Sequence, residues 1–311
     1  MRTFTAFLRL IRWPNLFFIV LTQALFKFFI IDPILKDATL PLKYLIFLSL
    51  ASVFIAAAGY IINDYFDLNI DLINKPDRLI VDRTIKRRWA IAFHLIFSMV
   101  GIVLSIYVAL KTNFLIALGN ILCVFLLWLY STTFKKKLLI GNVVISLLTA
   151  WVIFVIYFAV DKNFSFYKPP YSPLNMPLHR LFRFALLYSS FAFIISLVRE
   201  VVKDMEDIKG DAKYGCSTMP IKWGIPVSKV FVGVWLVVLI GALTAIFFYT
   251  LQLGWRLSPI YLLVMVVLPL VWILKKLYDA TTSENYHTLS SAVKLVMLLG
   301  ILSMLFMKLY S

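Results

Sequence analysis

The chain has 311 residues, of which 62% are hydrophobic and only 15% are charged, and its formal net charge is +16. This composition excludes an ordinary soluble domain and is typical of a polytopic membrane protein. The basic residues are scattered among short connections between apolar stretches, so we expect no nucleic-acid partner. Anionic membrane lipids and a phosphorylated substrate are the expected counterions.

Apolar stretches long enough to cross a bilayer core, about 20 residues each, recur along the whole chain. Their lengths predict nine transmembrane helices, and no linker rich in Gly, Ser or Pro separates them. We therefore expect an all-α fold and one transmembrane domain over residues 1–311. The predicted spans are 13–31, 44–63, 89–110, 113–130, 141–160, 180–199, 228–250, 258–275 and 291–309.

The basic residues also predict a topology. Twenty of the 31 Lys and Arg residues fall on the side that includes the N-terminus, and nine fall on the opposite side. The positive-inside rule then places the N-terminus in the cytoplasm and, with nine spans, the C-terminus outside. The expected location is the cell membrane of a bacterium or archaeon. His287 is expected in a short outward loop.

One acidic pattern, Asp-x-x-Asp-x-x-x-Asp, occurs twice, four predicted spans apart and on the predicted cytoplasmic side. Its spacing puts three carboxylates on one face of a helix. Ten of the fifteen acidic residues lie within residues 64–82 or 200–211. Like charges so close together repel one another unless cations neutralise them. The six aspartates of the two motifs are Asp64, Asp67, Asp71, Asp204, Asp207 and Asp211.

Carboxylate stripes of this kind suit Mg²⁺ and a diphosphate. Mg²⁺ prefers oxygen ligands and is commonly shared between carboxylates and substrate phosphates. Basic side chains near the motifs can contact the remaining phosphate charge and stabilise a departing pyrophosphate. The candidates are Lys75 and Arg78 after the first motif, and Arg199 and Lys203 around the second. A site open to the bilayer favours an isoprenoid as the group that is transferred.

The segments Asn63-Asp64-x-x-Asp67-x-x-x-Asp71 and Asp204-x-x-Asp207-x-x-x-Asp211 resemble the paired motifs of the UbiA superfamily of intramembrane prenyltransferases. Arg12-Trp13-Pro14-Asn15, Tyr130-Ser131 with Lys135, and Gly141-Asn142 also resemble positions of that superfamily. The resemblance implies helices ringed around a central cavity with cytoplasmic cap loops. It also implies that the six aspartates are catalytic and bind Mg²⁺, and that Asn63 orients the first cluster.

The implied reaction is transfer of a prenyl group from a polyprenyl diphosphate to a lipophilic acceptor. Residues 199–211 resemble the branch that transfers a geranylgeranyl group to geranylgeranylglycerol phosphate. Related sequence occurs in enzymes with aromatic acceptors, so an aromatic acceptor is the alternative. A secondary transporter is an alternative of another class, but transporters usually place their charges near the bilayer midplane. The sequence does not indicate an oligomeric state.

Three further positions have two interpretations each. Arg12 and Asn15 either cap the first transmembrane helix or bind an acceptor headgroup. Tyr130 either orients substrate or is an ordinary interfacial tyrosine. The basic run 135–137 is expected to be a topology anchor rather than a ligand contact.

Overall fold

The structure is a computed structural model that describes residues 2–36, 40–74, 76, 79–161 and 176–310. Over these residues the fold is all-α, without a β-strand. Nine helices of the described chain are long and apolar enough to cross a membrane, which confirms the predicted number, and the protein is an integral membrane protein. They are α2 (Trp13–Leu35), α3 (Leu42–Phe66), α5 (Arg87–Ala109), α6 (Leu115–Thr132), α7 (Ile140–Val160), α8 (Met176–Glu206), α11 (Gly224–Gln252), α12 (Leu257–Asp279) and α13 (Ser283–Leu309).

Four shorter helices stand between the spans or before them. They are α1 (Arg2–Leu10), α4 (Leu68–Asn74), α9 (Ile208–Lys213) and α10 (Met219–Lys222). Two of them, α4 and α9, directly follow spans that end in an acidic motif. The helices α4 and α9 therefore each carry the last aspartate of a motif, Asp71 and Asp211.

The described residues form two compact units. The first comprises Met1–Lys135 and Trp151–Leu186, and the second comprises Lys136–Ala150 and Leu187–Ser311. The first acidic motif belongs to the first unit and the second motif to the second. The single domain and the positive-inside topology stay predictions.

In the first unit, α1 packs on the segment that follows the first motif. Leu10 of α1 is buried together with Val81 and Ile85, which flank a turn where Asp82 has a positive φ of 70°. The ring of Phe7 lies 5.4 Å from that of Phe93 in α5. The amphipathic N-terminal helix thus anchors this connection on the protein rather than leaving it in solvent.

Helices of the first unit also approach one another closely. A Cβ added to Gly119 would lie only 2.0 Å from the ring of Trp151, so this contact requires glycine. Trp151 Nε1 donates to Asn120 Oδ1 at 2.8 Å, and Asn120 Nδ2 donates to Ser105 Oγ at 2.7 Å. Small residues and satisfied polar groups are the usual means of packing helices in lipid.

The core of the second unit is built from the spans α8, α11, α12 and α13. Val198, Leu236, Leu270 and Val293 supply one fully buried side chain from each of these helices. The last span begins at Ser283 rather than at the predicted residue 291. Its first turn is polar, and the Thr282 side chain accepts a hydrogen bond from the backbone N–H of Asn285 at 3.2 Å, as an N-cap does.

Candidate active site

The first motif lies where α3 ends and α4 begins. Asp64 is in the last turn of α3, Asp67 directly follows that helix with φ −86° and ψ −1°, and Asp71 is in α4. The N–H of Asp67 donates to the carbonyl of Asn63 at 2.9 Å, and the N–H of Asp71 donates to that of Asp67 at 2.8 Å. These i to i−4 bonds continue the predicted helical spacing through the break.

Two carboxylates of the first motif are held by basic side chains. Arg12 Nη2 donates to Asp64 Oδ1 at 2.8 Å. Asp67, only 3% exposed, accepts from Asn63 Nδ2 at 2.6 Å and forms a short ion pair with Lys135. A buried carboxylate needs such partners, because desolvation of an unpaired charge costs several kcal/mol.

Arg12 stands at the junction of α1 and α2 in the left-handed conformation, with φ 52° and ψ 51°. A branched or bulky residue adopts this conformation at a cost, and such strain is concentrated at functional sites. Its side chain makes no capping hydrogen bond to α2, and its guanidinium lies 4.9 Å from the centre of the Tyr60 ring. Burial alone would lower the pKa of Arg12, but Asp64 and Tyr60 raise it by more. The side chain therefore binds the motif instead of capping the helix.

Lys135 is a site residue that the sequence interpretation placed in a topology anchor. It lies in a short helical turn, Phe134–Lys136, between α6 and α7. Burial alone would lower the pKa of its ammonium, but Asp67, Tyr130 and Asp71 raise it by more. Tyr130, half-buried in the last turn of α6, is thus part of the same electrostatic environment.

Asn15 lies in the first turn of α2, where its N–H donates to the carbonyl of Arg12 at 2.8 Å.

The second motif repeats the backbone of the first. Asp204 is in the last turn of α8, Asp207 follows that helix with φ −95° and ψ 7°, and Asp211 is in α9 and 4% exposed. The N–H of Asp207 donates to the carbonyl of Lys203 at 2.9 Å, and that of Asp211 donates to Asp207 at 3.2 Å. The helix breaks at the middle aspartate in both motifs.

The partners of the second motif differ from those of the first. Asp204 Oδ2 accepts from the side-chain amide of Asn142 at 2.8 Å. The two predicted phosphate-binding cations, Arg199 and Lys203, contact Glu200 instead, at 2.8 and 3.5 Å. Glu200, one helical turn before Asp204, was not among the predicted site residues.

The expectation that His287 lies in a loop is wrong. His287 is in the first turns of α13, and its Nδ1 lies 2.8 Å from Glu206 Oε1, at the end of α8. The hydroxyl of Ser283 donates to the backbone carbonyl of Glu206 at 2.9 Å. The last span is therefore attached to the residue that precedes Asp207.

Lys75 and Arg78, predicted to bind phosphate, lie outside the described residues. In the part of the chain that is described, no group of three or more His, Cys, Asp or Glu side chains forms a ready metal site. The fit to Mg²⁺ therefore depends on donor chemistry, since both motifs supply the hard oxygen ligands that this ion prefers. In this structure, Asp64, Asp67 and Asp204 bind protein donors.

Residues 34–298 match the model of the UbiA prenyltransferase family. This match covers most of the chain, and it agrees with the nine spans and with the acidic motif at a helix end in each unit. The chain is thus a membrane-embedded enzyme, a prenyltransferase, and it belongs to the UbiA family. The resemblance identified from the two motifs is confirmed.

Individual relatives are similar over most of the chain. The digeranylgeranylglyceryl phosphate synthase of Methanosphaera stadtmanae is 29% identical over 264 residues, which cover 84% of this chain and 87% of that protein. A solved structure described as giving insight into digeranylgeranylglyceryl phosphate synthase in membranes has a TM-score of 0.62 and 24% identity, and the match covers 98% of this chain and 99% of that one.

A UbiA homologue from Archaeoglobus fulgidus, solved with DMAPP and Mg²⁺ bound, has a TM-score of 0.58 and 14% identity. The match covers 96% of this chain and 98% of that one. At these identities the two structures support the shared fold alone.

Proposed function

We propose that the enzyme transfers a geranylgeranyl group from geranylgeranyl diphosphate to the hydroxyl of geranylgeranylglycerol phosphate. The similarity to digeranylgeranylglyceryl phosphate synthases and the sequence of residues 199–211 support this choice of acceptor. Both substrates are lipid-like and reach the enzyme from the membrane. The positive-inside pattern supports a site on the cytoplasmic side.

The observation that carries the proposal is the repeated arrangement of the two motifs. Each has an aspartate in the last turn of a span, one at the helix break and one in the short helix that follows. We assign these six aspartates as the residues that hold Mg²⁺. When bound, Mg²⁺ would neutralise diphosphate oxygens and so favour the departure of pyrophosphate.

The protein donors around the carboxylates have matching roles. Arg12 and Lys135 hold Asp64 and Asp67 in place, and Asn63 and Asn142 fix the orientation of the carboxylates that they contact. The positive charges of Arg12 and Lys135 would also attract diphosphate oxygens. Four further residues complete the assignment by sequence position: Lys75 and Arg78 bind diphosphate, and Asn15 and Tyr130 orient the substrates.

The reaction breaks the bond between the allylic carbon and the diphosphate oxygen, and the electron pair leaves with pyrophosphate. The acceptor hydroxyl oxygen then forms a bond to that carbon and releases its proton to solvent, which gives an ether. Preorganised positive charge at the diphosphate stabilises this transition state, because the negative charge there grows as the bond breaks.

The test is an assay of the purified protein in detergent with geranylgeranyl diphosphate and Mg²⁺. The acceptors are geranylgeranylglycerol phosphate and a panel of aromatic acids, and both pyrophosphate and prenylated product are measured. Chelation of Mg²⁺ with EDTA is the control. We expect turnover with the glycerol phosphate only, and its loss with EDTA.

Turnover with an aromatic acid, and none with the glycerol phosphate, would replace the acceptor and keep the prenyltransferase. Turnover that persists in EDTA would contradict the metal assignment. The choice of acceptor and the metal assignment are thus tested separately. The acceptor panel tests the first, and EDTA tests the second.

A further inference from the structure

A charged triad within α8 is not explained by metal binding. Arg199 Nη1 donates to Glu200 Oε1 at 2.8 Å, and Lys203 Nζ lies 3.5 Å from Glu200 Oε2. The side chain of Glu200 is 11% exposed, and those of Arg199 and Lys203 are 23% and 26% exposed. Ionisable residues within a membrane span are costly, so their presence indicates a function.

In the triad, Arg199 and Lys203 both contact the one carboxylate of Glu200. Glu200 accepts from both cations, and so holds them on neighbouring positions of the helix surface. Long basic side chains lose conformational entropy when a ligand orders them. By holding them in advance, Glu200 reduces this cost and prepares a site for an anion.

One N–H donor of the Arg199 guanidinium, at Nε, is not satisfied by the described residues. Its Nε is buried, and no acceptor among the described residues lies within hydrogen-bond distance of it. A buried donor without an acceptor costs free energy, and each such group needs an explanation. Guanidinium groups bind phosphate through a fork of two N–H groups, and the Nη1 bond to Glu200 leaves the fork that contains Nε for a ligand.

Arg199 is also offset along α8 from Asp204, to which we assign the metal. Arg199 precedes Asp204 by five residues, which is about 7.5 Å along a helix axis. A diphosphate held through Mg²⁺ at the aspartates therefore does not account for the unused donor of Arg199. In a glycerol phosphate acceptor, only a few bonds separate the reacting hydroxyl from the phosphate, so the two groups suit neighbouring subsites.

We propose that Arg199 and Lys203, held by Glu200, bind the phosphate monoester of the acceptor rather than the diphosphate of the prenyl donor. This inference deepens the proposed function and rests on it. It makes the triad the element that selects a phosphorylated glycerol lipid over acceptors that have only a hydroxyl group.

The test compares Arg199→Gln with the wild-type enzyme in detergent free of phospholipid. Loss of a charged hydrogen bond predicts an increase of about 10- to 100-fold in the KM for geranylgeranylglycerol phosphate. The KM for geranylgeranyl diphosphate should stay unchanged. The wild type should prefer the phosphorylated acceptor over geranylgeranylglycerol, and the variant should lose that preference. Lys213→Gln removes an exposed charge from the same unit and is the matched control, with no expected change.

Arg199→Lys is the second variant, because Arg199→Gln leaves Glu200 with one cation fewer and can affect folding. It keeps the charge and loses the fork, so the acceptor KM should rise by less than in Arg199→Gln, again without a change for the diphosphate. An increase confined to the KM for geranylgeranyl diphosphate in either variant would overturn the proposal.

Two further results distinguish this proposal from a lipid-headgroup site and from a failure of the proposed function. If phosphatidylglycerol inhibited the wild type without competing with the acceptor, and did not inhibit Arg199→Gln, the triad would bind lipid headgroups, and the acceptor assignment would be wrong. Failure of the wild type to use any acceptor would instead refute the proposed function. This result is measured on the wild type alone, whereas the role of Arg199 is measured on the variants.

Discussion

The two acidic motifs share a spacing and a backbone, but not their partners. In the first unit, Asp64 and Asp67 bind the cations Arg12 and Lys135. In the second unit, Asp204 binds a neutral amide, while the nearby cations contact Glu200. Asp64 and Asp67 are thus paired with cations of the protein, whereas Asp204 has no such ion pair among the described contacts.

The same spacing of aspartates can thus be stabilised in two ways, by cations of the protein or by a neutral amide. Where a cation is built in, its loss leaves a buried negative charge and should damage the fold. Where the partner is neutral, its loss should change the metal requirement more than the fold. Substitutions at Asp204, Lys135, Asn142 and His287 test this distinction.

Asp204→Asn should reduce the rate of prenyl transfer by about 10²- to 10³-fold, the usual loss when one preorganised electrostatic contact to the transition state is removed. The measurement is kcat at saturating substrates. Asp279→Asn, an exposed aspartate in the same unit, is the control and should keep the wild-type rate. A rate for Asp204→Asn within twofold of wild type would remove this residue from the site.

Lys135→Met should lower the free energy of unfolding by about 3 kcal/mol, because it leaves the buried Asp67 without its cation. Thermal unfolding in detergent measures this change. Asp67→Asn in the same background should recover part of the loss, since it removes the unpaired charge. Additive destabilisation in the double variant would show that the two residues do not interact energetically.

Asn142→Ala should raise the Mg²⁺ concentration needed for half-maximal activity by about tenfold, the lower end of the effect of removing an outer-shell partner. At saturating Mg²⁺ the rate should return close to that of wild type. Asn285→Ala, at an exposed position of the same unit, is expected to change nothing. If Asn142→Ala lowered stability as much as Lys135→Met, the contrast between the motifs would be wrong.

His287→Ala should have the smallest effect, because its contact with Glu206 is half exposed and such pairs contribute about 0 to 1 kcal/mol. We expect a small decrease in thermal stability and a Mg²⁺ requirement close to that of wild type. His287→Asn, which retains a donor near the position of Nδ1, should be closer to wild type. A large loss of activity would show that the attachment of α13 positions Asp207.

Much of the fold could be predicted from the sequence because membrane spans are long apolar stretches. All nine were predicted, and the largest boundary error occurred at the last span, where residues 283–290 are polar and a hydropathy window does not detect them. The break at Asp67 and Asp207 could not be predicted, because the spacing i, i+3, i+7 fits an unbroken helix equally well.

The acidic residues of the candidate site could be identified from one local pattern, but their partners could not. Lys135 and Asn142 lie 68 and 62 residues from the aspartates that they contact, and tertiary packing brings them there. Lys135 also stands in a run of three lysines that reads as a topology anchor. The same holds for the triad around Glu200. From the sequence, Arg199 and Lys203 were predicted to bind phosphate, whereas Glu200 was not among the predicted site residues.

The most direct test of the central claim is Mg²⁺-dependent prenyl transfer by Asp67→Asn and Asp207→Asn, the middle residues of the two motifs, measured beside the wild type. Asp82→Asn is the control, because it is exposed and asparagine tolerates its left-handed conformation. We predict that both motif variants lose nearly all activity while the control retains it. Full activity in either motif variant, in protein that is folded and binds geranylgeranyl diphosphate, would contradict the claim that both motifs carry the reaction.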